Sequence, residues 1–389
     1  MQFKIQSLLP LPIIFTDCSL FAVHYQNMLK TKTEWLLAAP PTATNSRADT
    51  PLYPFINRLV RGEDLSIEEA AEFFRVLTGT NTYPQQIAGA LVALTAKGET
   101  YPELAGMAGV MRSQAYKIST RQANFIDTTG TGSSGAAKTF NVSTASALVV
   151  AGAGLTVAKQ VNRAVTSGTG SADVLEKLGV KVTGEPEVAQ ACLNGAGLCF
   201  MFSPKFHPTV KRAAMIRSNL GIRSCLNLLG VLSNPAKAPK QIVGVWHQSL
   251  VEPMAQALLL LKTKHAWVVH GEDGLDELTL AGETLISEVS EGKVRQFKIT
   301  PKDFGLQRGS VAHLKAETPE QSAKIISEVF SGKRRDEARS LIILNAAAAL
   351  LVGGLGDSPT HAARLAEQCI DSGQAQNKLA RLIQTTNKR

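Results

Sequence analysis

Aromatic side chains make up only 6% of this 389-residue chain, which argues against a surface of stacked rings for single-stranded nucleic acid. Cysteine is scarce too. The five present, Cys18, Cys192, Cys199, Cys225 and Cys369, form no CxxC pair and no metal-like spacing with histidine. Odd in number and set mostly in apolar stretches, they read as buried thiols of a reducing compartment, which points to the cytoplasm. No apolar run approaches the length of a membrane helix. Residues 8–15 are apolar but are broken by Pro10 and Pro12 and followed by Asp17, a poor fit to a secretory signal. Met28 offers an alternative start, and residues 38–51 are polar and proline-containing, so residues 1–50 read as an extension and flexible linker. Two nucleotide signatures are also missing. No Gly-Lys-Ser/Thr closes a P-loop, and no acidic residue follows a second strand at the distance a dinucleotide site needs.

What is present suits one large or two modest domains: 44% hydrophobic and 19% charged residues, with abundant alanine and glycine for close helix packing and tight loops. The formal net charge is +9. This is compatible with a merely basic soluble protein, or with attraction to polyphosphates or nucleic acid.

From Pro51 to Ala115 the pattern is helical. Ser66-Ile67-Glu68-Glu69 is a capping box, followed by an apolar face of Ile67, Ala70, Ala71, Phe74 and Leu77. A second helix runs from Pro84 to Lys97-Gly98, and Thr100-Tyr101-Pro102-Glu103 opens a third. Such short helices must bundle and pack on something larger. From Phe125 on, strands alternate with helices. Candidates at 125–128, 155–159, 180–182, 198–202, 242–245 and 266–269 predict a mostly parallel sheet, and 283–289 with 294–299, joined by Glu291-Gly292, predict an antiparallel hairpin at its edge. Residues 208–235 interrupt the alternation with two helices, and the tail from Pro319 is helical. The fold class is therefore α/β: a small all-helical domain (51–119, with 205–239 returning to it) beside a larger α/β domain (120–204 and 240–389) with a mostly parallel central sheet.

The densest chemical signal lies between Asp127 and Glu176. A strand runs into Gly130-Thr131-Gly132, then Asn141-Val142-Ser143-Thr144 opens an alanine-rich helix. A second strand ends in Lys159-Gln160-Val161-Asn162-Arg163, and Gly170-Ser171-Ala172-Asp173 opens another helix. Loops of small and hydroxyl residues that leave strands and open helices present backbone N–H groups to phosphate, and Lys159 adds charge. Asn141, Ser143 and Thr144 are open to a second reading, as helix caps. Gly274-Leu275-Asp276-Glu277 follows a strong apolar strand, and paired carboxylates there suit a hard cation that also holds phosphate oxygens. His207 and Arg217 flank the interrupting helices.

Taken in order, GTG, NVST, KxxNR, GSAD, HP, LGIR, NLLG, NP and GLDE resemble the anthranilate phosphoribosyltransferase family from about Pro51 to the C-terminus. The resemblance implies a nucleoside phosphorylase/phosphoribosyltransferase type of fold and a homodimer paired through the helical domain. It also implies transfer of phosphoribosyl from phosphoribosyl pyrophosphate (PRPP) to the amino group of anthranilate, with Mg²⁺, in tryptophan synthesis. Carried over by residue, Gly130, Thr131, Gly132, Asn141, Ser143, Thr144, Lys159 and Ser171 correspond to PRPP-binding groups. Ser143, Asp276 and Glu277 correspond to metal ligands, and Asn162, His207 and Arg217 to the acceptor channel. No dedicated catalytic acid or base is implied. Ser133-Ser134, Gln160, Val161 and Val231 depart from the family pattern. Val161, where the family has glycine, would forbid a positive φ, and Val231 replaces an acceptor-side proline. These departures leave two alternatives: a PRPP-dependent transferase for a different aromatic acceptor, or a non-catalytic paralogue that binds nucleic acid.

Overall fold

A computed structural model of the chain describes residues 50–132, 138–163 and 169–388. The N-terminal extension with Cys18 and Met28, and Ser133-Ser134 of the glycine loop, lie outside the described residues.

Helices α1 (Tyr53–Val60), α2 (Ile67–Thr78), α3 (Pro84–Lys97) and α4 (Tyr101–Gln114) form the bundle. Local chemistry sets their ends. Glu69 N–H donates to Ser66 Oγ at 3.2 Å, and Ser66 N–H donates back to Glu69 Oε2 at 2.8 Å. Gly98, at φ 88°, ends α3 in a conformation that favours glycine. The buried face of α2 is Ala70, Phe73, Phe74 and Leu77. Phe73 takes the place expected of Ile67, which is 37% exposed at the first turn. Glu103 is wholly buried and ties the bundle together. It accepts from the N–H groups of Leu65 (2.9 Å) and Thr100 (2.8 Å) and from Lys97 Nζ (3.0 Å).

The seven-stranded sheet has the order β3-β2-β1-β4-β5-β6-β7. Its strands are β1 (Phe125–Gly130), β2 (Thr156–Val161), β3 (Leu198–Phe202), β4 (Lys240–Gly244), β5 (His265–Gly271), β6 (Thr284–Ser290) and β7 (Lys293–Ile299). β1 to β5 pair in parallel, while β6 and β7 are antiparallel. The β6–β7 turn places Glu291 and Gly292 at φ 52° and 74°, the left-handed pair a two-residue hairpin requires. Residues 180–182 are not a strand. Helix α6 (Ser171–Lys177) is followed by a left-handed Gly179, Val180 N–H returns to Leu175 O, and Lys181 N–H bonds Thr386 Oγ1 instead of a strand neighbour.

Alternation along the strands serves both faces. Ile242, Trp267 and Val269 pack with helices α5 (Val142–Gly152), α7 (Pro186–Ala196), α12 (Pro319–Phe330), α13 (Glu337–Gly353), α14 (Pro359–Asp371) and α15 (Gln374–Asn387). Val243, Ala266 and Val268 pack instead with the bundle helices, with α9 (Lys211–Leu220) and α10 (Cys225–Leu232), and with α11 (Val251–Leu260). The short helix α8 (Ser203–Phe206) continues β3. Thus α9 and α10 share one apolar cluster with the bundle, and that cluster reaches the sheet. Cys192 is buried, and Cys199, Cys225 and Cys369 are buried thiols outside any disulfide.

Glu103→Ala leaves two buried N–H groups and the Lys97 ammonium short of their acceptor. It should lower unfolding free energy by about 3–5 kcal/mol in urea titration, with Glu103→Gln losing less.

Candidate active site

The order of the sheet reverses between β1 and β4, the switch point outside whose carboxyl strand ends open α/β sheets place their ligand crevice. The last register pair across this boundary is Gly130 with Gly244. A Cβ on Gly130 would meet Asp276 Oδ2 at 2.2 Å, and one on Gly244 would meet Asp276 O at 1.6 Å. Two facing glycines thus make a slot that the segment after β5 fills. Asp276 Oδ2 then accepts from Gly132 N–H at 2.7 Å. Glu277 Oε1 accepts from Ser143 N–H in the first turn of α5 at 3.2 Å. Past the strand ends the loops are stitched together: Thr131 N–H donates to Gly244 O at 2.9 Å, and Trp246 N–H to Thr131 Oγ1 at 3.1 Å.

Charge at the crevice is of both signs. Glu277 is pushed up to about 8, first by burial and then by the adjacent Asp276. Lys159 is 1% exposed and its Nζ donates to Thr128 O. Burial pulls this ammonium below its usual range, opposed by Asp127, then Glu277 and Asp276. Burial likewise lowers Lys138 and Arg223, and Asp276 opposes it in both. Arg223 lies over the Trp246 ring with its Cζ 4.6 Å from the centroid.

The hydroxyls expected at the head of α5 divide in role. Asn141 precedes the helix but its side chain does not cap it. Its N–H donates to Ser322 Oγ at 2.9 Å, and Ser322 Oγ donates to Asn141 Oδ1 at 3.0 Å. Thr144 is fully buried and its Oγ1 has no partner among the described residues. Ser171 is the first residue of α6.

On the acceptor side, Asn162 is exposed beyond β2. His207 is 3% exposed. Burial lowers its ring to about 4, against the backbone of Met111 and Ser233. Arg217 Nη1 donates to Asn227 Oδ1 at 3.1 Å, while its Nε is buried without a partner among the described residues. The two valines that depart from the family pattern lie in regular elements. Val161 is a regular strand residue opposite Phe202, and residues of positive φ other than glycine are Lys237, Lys262 and Glu291 among those described. Val231 lies inside α10 and is buried in the bundle cluster. Gln160 is buried, and its Nε2 donates to Ser203 Oγ at 2.8 Å.

Sequence reasoning missed Gly244, Lys138, Arg223 and Trp246. Arg223 stands in the LGIR motif, but its approach to Gly132 and Trp246 depends on how α9 and α10 return across the sheet. Oxygen donors at Asp276, Glu277 and Ser143, two of them carboxylates, fit Mg²⁺ by their chemistry. Another trio, His313, Asp336 and Glu337, brings ligand atoms within 4.8 Å of one another. The Asp336 oxygens there are already engaged by Arg334 and the Ala338 N–H.

The helical bundle domain model of a glycosyl transferase family matches residues 53–115, and that family's a/b domain model matches residues 122–376. The architecture and crevice are therefore those of a glycosyl transferase of the type that joins a helical bundle to an α/β domain. Within that type, the chain belongs to the anthranilate phosphoribosyltransferase family. It is 43% identical to the anthranilate phosphoribosyltransferase of Desulfosudis oleivorans, over 85% of this chain and 97% of that protein. It is 46% identical to that of Chloroflexus aggregans, over 84% and 96%. The crystal structure of the Thermus thermophilus enzyme superposes with a TM-score of 0.79 at 36% identity, covering 85% of this chain and 99% of that one. The Saccharomyces cerevisiae enzyme in complex with PRPP and Mg shares the fold, with a TM-score of 0.78 at 24% identity, over 87% and 98%.

His207 titrates at about 4 when folded, below its ordinary 6.5. Its contribution to stability is complete above pH 6.5 and is lost as pH falls toward 4. Urea unfolding at about pH 7.5 and about pH 5 should show roughly 2 kcal/mol more loss in the native protein than in His207→Gln.

Proposed function

We propose that the protein transfers the 5-phosphoribosyl group of PRPP to the amino group of anthranilate, a step of tryptophan biosynthesis. The observation that carries this reading is the seating of Asp276 between Gly130 and Gly244, with Glu277, Ser143, Gly132 and three cationic side chains around it. This is a site for a diphosphate and a hard cation at the sheet's switch point. Gly130, Thr131, Gly132, Asn141, Ser143, Thr144, Lys159 and Ser171 are assigned to PRPP. Asn162, His207 and Arg217 are assigned to the acceptor.

In the reaction the bond from ribose C1 to the diphosphate oxygen breaks, a bond from C1 to the amine nitrogen forms, and the amine proton passes to solvent. Bound Mg²⁺, held by Asp276, Glu277 and Ser143, would supply neutralising charge to the departing diphosphate. The chain's own contribution is alignment and electrostatics. Lys159, Lys138 and Arg223 raise the positive potential of the crevice. The N–H groups of Gly132 and Ser143 hold the Asp276 and Glu277 carboxylates in place. Arg217 is half-buried, and its buried Nε has no partner among the described residues, so it is suited to the acceptor's carboxylate. His207 stays neutral at working pH and serves as packing and polar lining, not as an acid. Val161 and Val231 sit in regular strand and helix backbone.

We also propose a homodimer paired through the bundle and a cytoplasmic location. Val60, Ile67, Val92 and Tyr101 are 48%, 37%, 44% and 44% exposed on the bundle helices, and the thiols of Cys199, Cys225 and Cys369 are free.

Purified protein should form phosphoribosyl anthranilate from PRPP and anthranilate with Mg²⁺, and its gene should restore growth without tryptophan to a strain lacking this enzyme. Asp276→Ala with Glu277→Ala should abolish turnover, each contributing about 10²–10³ in rate. Retention of near-normal turnover by that double variant would refute the site. Gly244→Ala, whose Cβ displaces the Asp276 backbone, should cost about 10² in rate although Asp276 itself is intact. Arg217→Ala should raise KM for anthranilate by roughly 10-fold or more with little change in KM for PRPP.

A further inference from the structure

Asn234 lies in the segment that brings the chain back from α10 to β4, and it is 1% exposed. Its Nδ2 donates to Asp127 Oδ2 and to Ala158 O, both at 2.8 Å. Its Oδ1 accepts from the N–H groups of Ala236 at 2.9 Å and Ala238 at 3.4 Å. Both donors and both lone pairs of the amide are therefore used. Its partners are well placed. Asp127 stands on β1 just before the glycine loop, and Ala158 immediately precedes Lys159 on β2. Asp127 is itself buried and also accepts from Thr129 Oγ1 at 2.5 Å.

The two residues before Asn234 hold the other side. Leu232 O accepts from Arg112 Nε of α4 at 2.6 Å, and Ser233 Oγ donates to Ala108 O of α4 at 3.5 Å. Arg112 also reaches Leu261 O, just past α11, at 3.3 Å. His207 rests against the Ser233 backbone. Within three consecutive residues the chain passes from gripping the bundle to gripping the two strands that bear the diphosphate-facing groups.

We propose that Asn234 is a positioning residue, a rigid joint that sets where the helix carrying Arg217 stands relative to Gly130–Gly132 and Lys159. This inference rests on the transferase reading above, because its consequence is the alignment of acceptor with donor. Asn234 itself touches neither substrate. Removing its amide leaves a buried carboxylate and a buried carbonyl without their donor, and the two half-sites lose their common reference. Because the lost alignment matters for the transition state, the defect belongs in kcat and not in the binding of either substrate.

Asn234→Ala should lower kcat by about 10² while KM for PRPP and for anthranilate each move by less than about 3-fold. The exchanged pair Asp127→Asn with Asn234→Asp rebuilds the bond in the opposite sense, amide on β1 and carboxylate on the joint. It keeps acceptors for the Ala236 and Ala238 N–H groups but leaves Ala158 O without its donor, so the rescue is partial. It should recover at least about tenfold of the kcat lost by either single substitution, as expected for directly coupled groups. A general loss of fold would not be rescued in this way. Hydrogen exchange supplies a second readout that needs no substrate. In Asn234→Ala, amides at Gly130–Thr131 and along α9–α10 should exchange faster together, while α13 stays protected. Wild-type kcat in Asn234→Ala, or unchanged exchange in both segments, overturns the joint. Absence of transfer by the wild-type protein overturns the transferase reading instead, and exchange then decides the joint.

Discussion

A single close approach organises the crevice: the Asp276 segment lies on the last residues of β1 and β4, where any side chain would collide with it. Gly130 and Gly244 are neighbours only because the sheet order reverses between those strands. Once Asp276 is seated, its carboxylate reaches the Gly132 N–H, and Glu277 reaches the Ser143 N–H at the head of α5. A loop, a helix terminus and the segment after β5 are thereby brought to one point. Backbone donors, rigid by virtue of the sheet, fix the orientation of both carboxylates.

The second constraint is electrostatic. Asp127, Lys159 and Glu277 are all withdrawn from water, and burial moves each from its usual titration range toward neutrality. They coexist because each lies in the field of opposite charge or accepts hydrogen bonds. The same network connects the site to the bundle, through Asn234, Leu232 and Arg112. The bundle is held to the sheet by a shared apolar cluster and by these buried polar contacts together. Apolar burial supplies the adhesion, and the hydrogen bonds specify one arrangement.

Much of the fold was legible in the sequence because its signals are local. The Ser66–Glu69 box, the Lys97-Gly98 stop, the Glu291-Gly292 turn and the apolar strands each act within a few residues. The exceptions have local causes that tertiary contacts outweighed. Val180 looked like a strand residue because it is apolar and buried, yet its neighbour Lys181 finds its acceptor on the C-terminal helix. Asn141 looked like a cap, but Ser322 claims its side chain. Val161 looked obstructive by analogy with a glycine, but pairing with Phe202 holds it in ordinary extended backbone.

By itself the sequence determined the chemical inventory: glycine loop, hydroxyl-rich helix start, strand-end lysine and paired carboxylates, each placed beside a strand or helix end by periodicity and capping. It also determined the α/β class, since alternating apolar runs and helices leave few other ways to bury both faces of a sheet. Only the tertiary structure decided that Gly244 completes the slot opposite Gly130, that Arg223 and Lys138 join the crevice, and that Asn234 bridges β1 and β2. Those relations join residues far apart in the chain. They depend on strand order and on the route of the return segment, and local sequence carries no physical record of either.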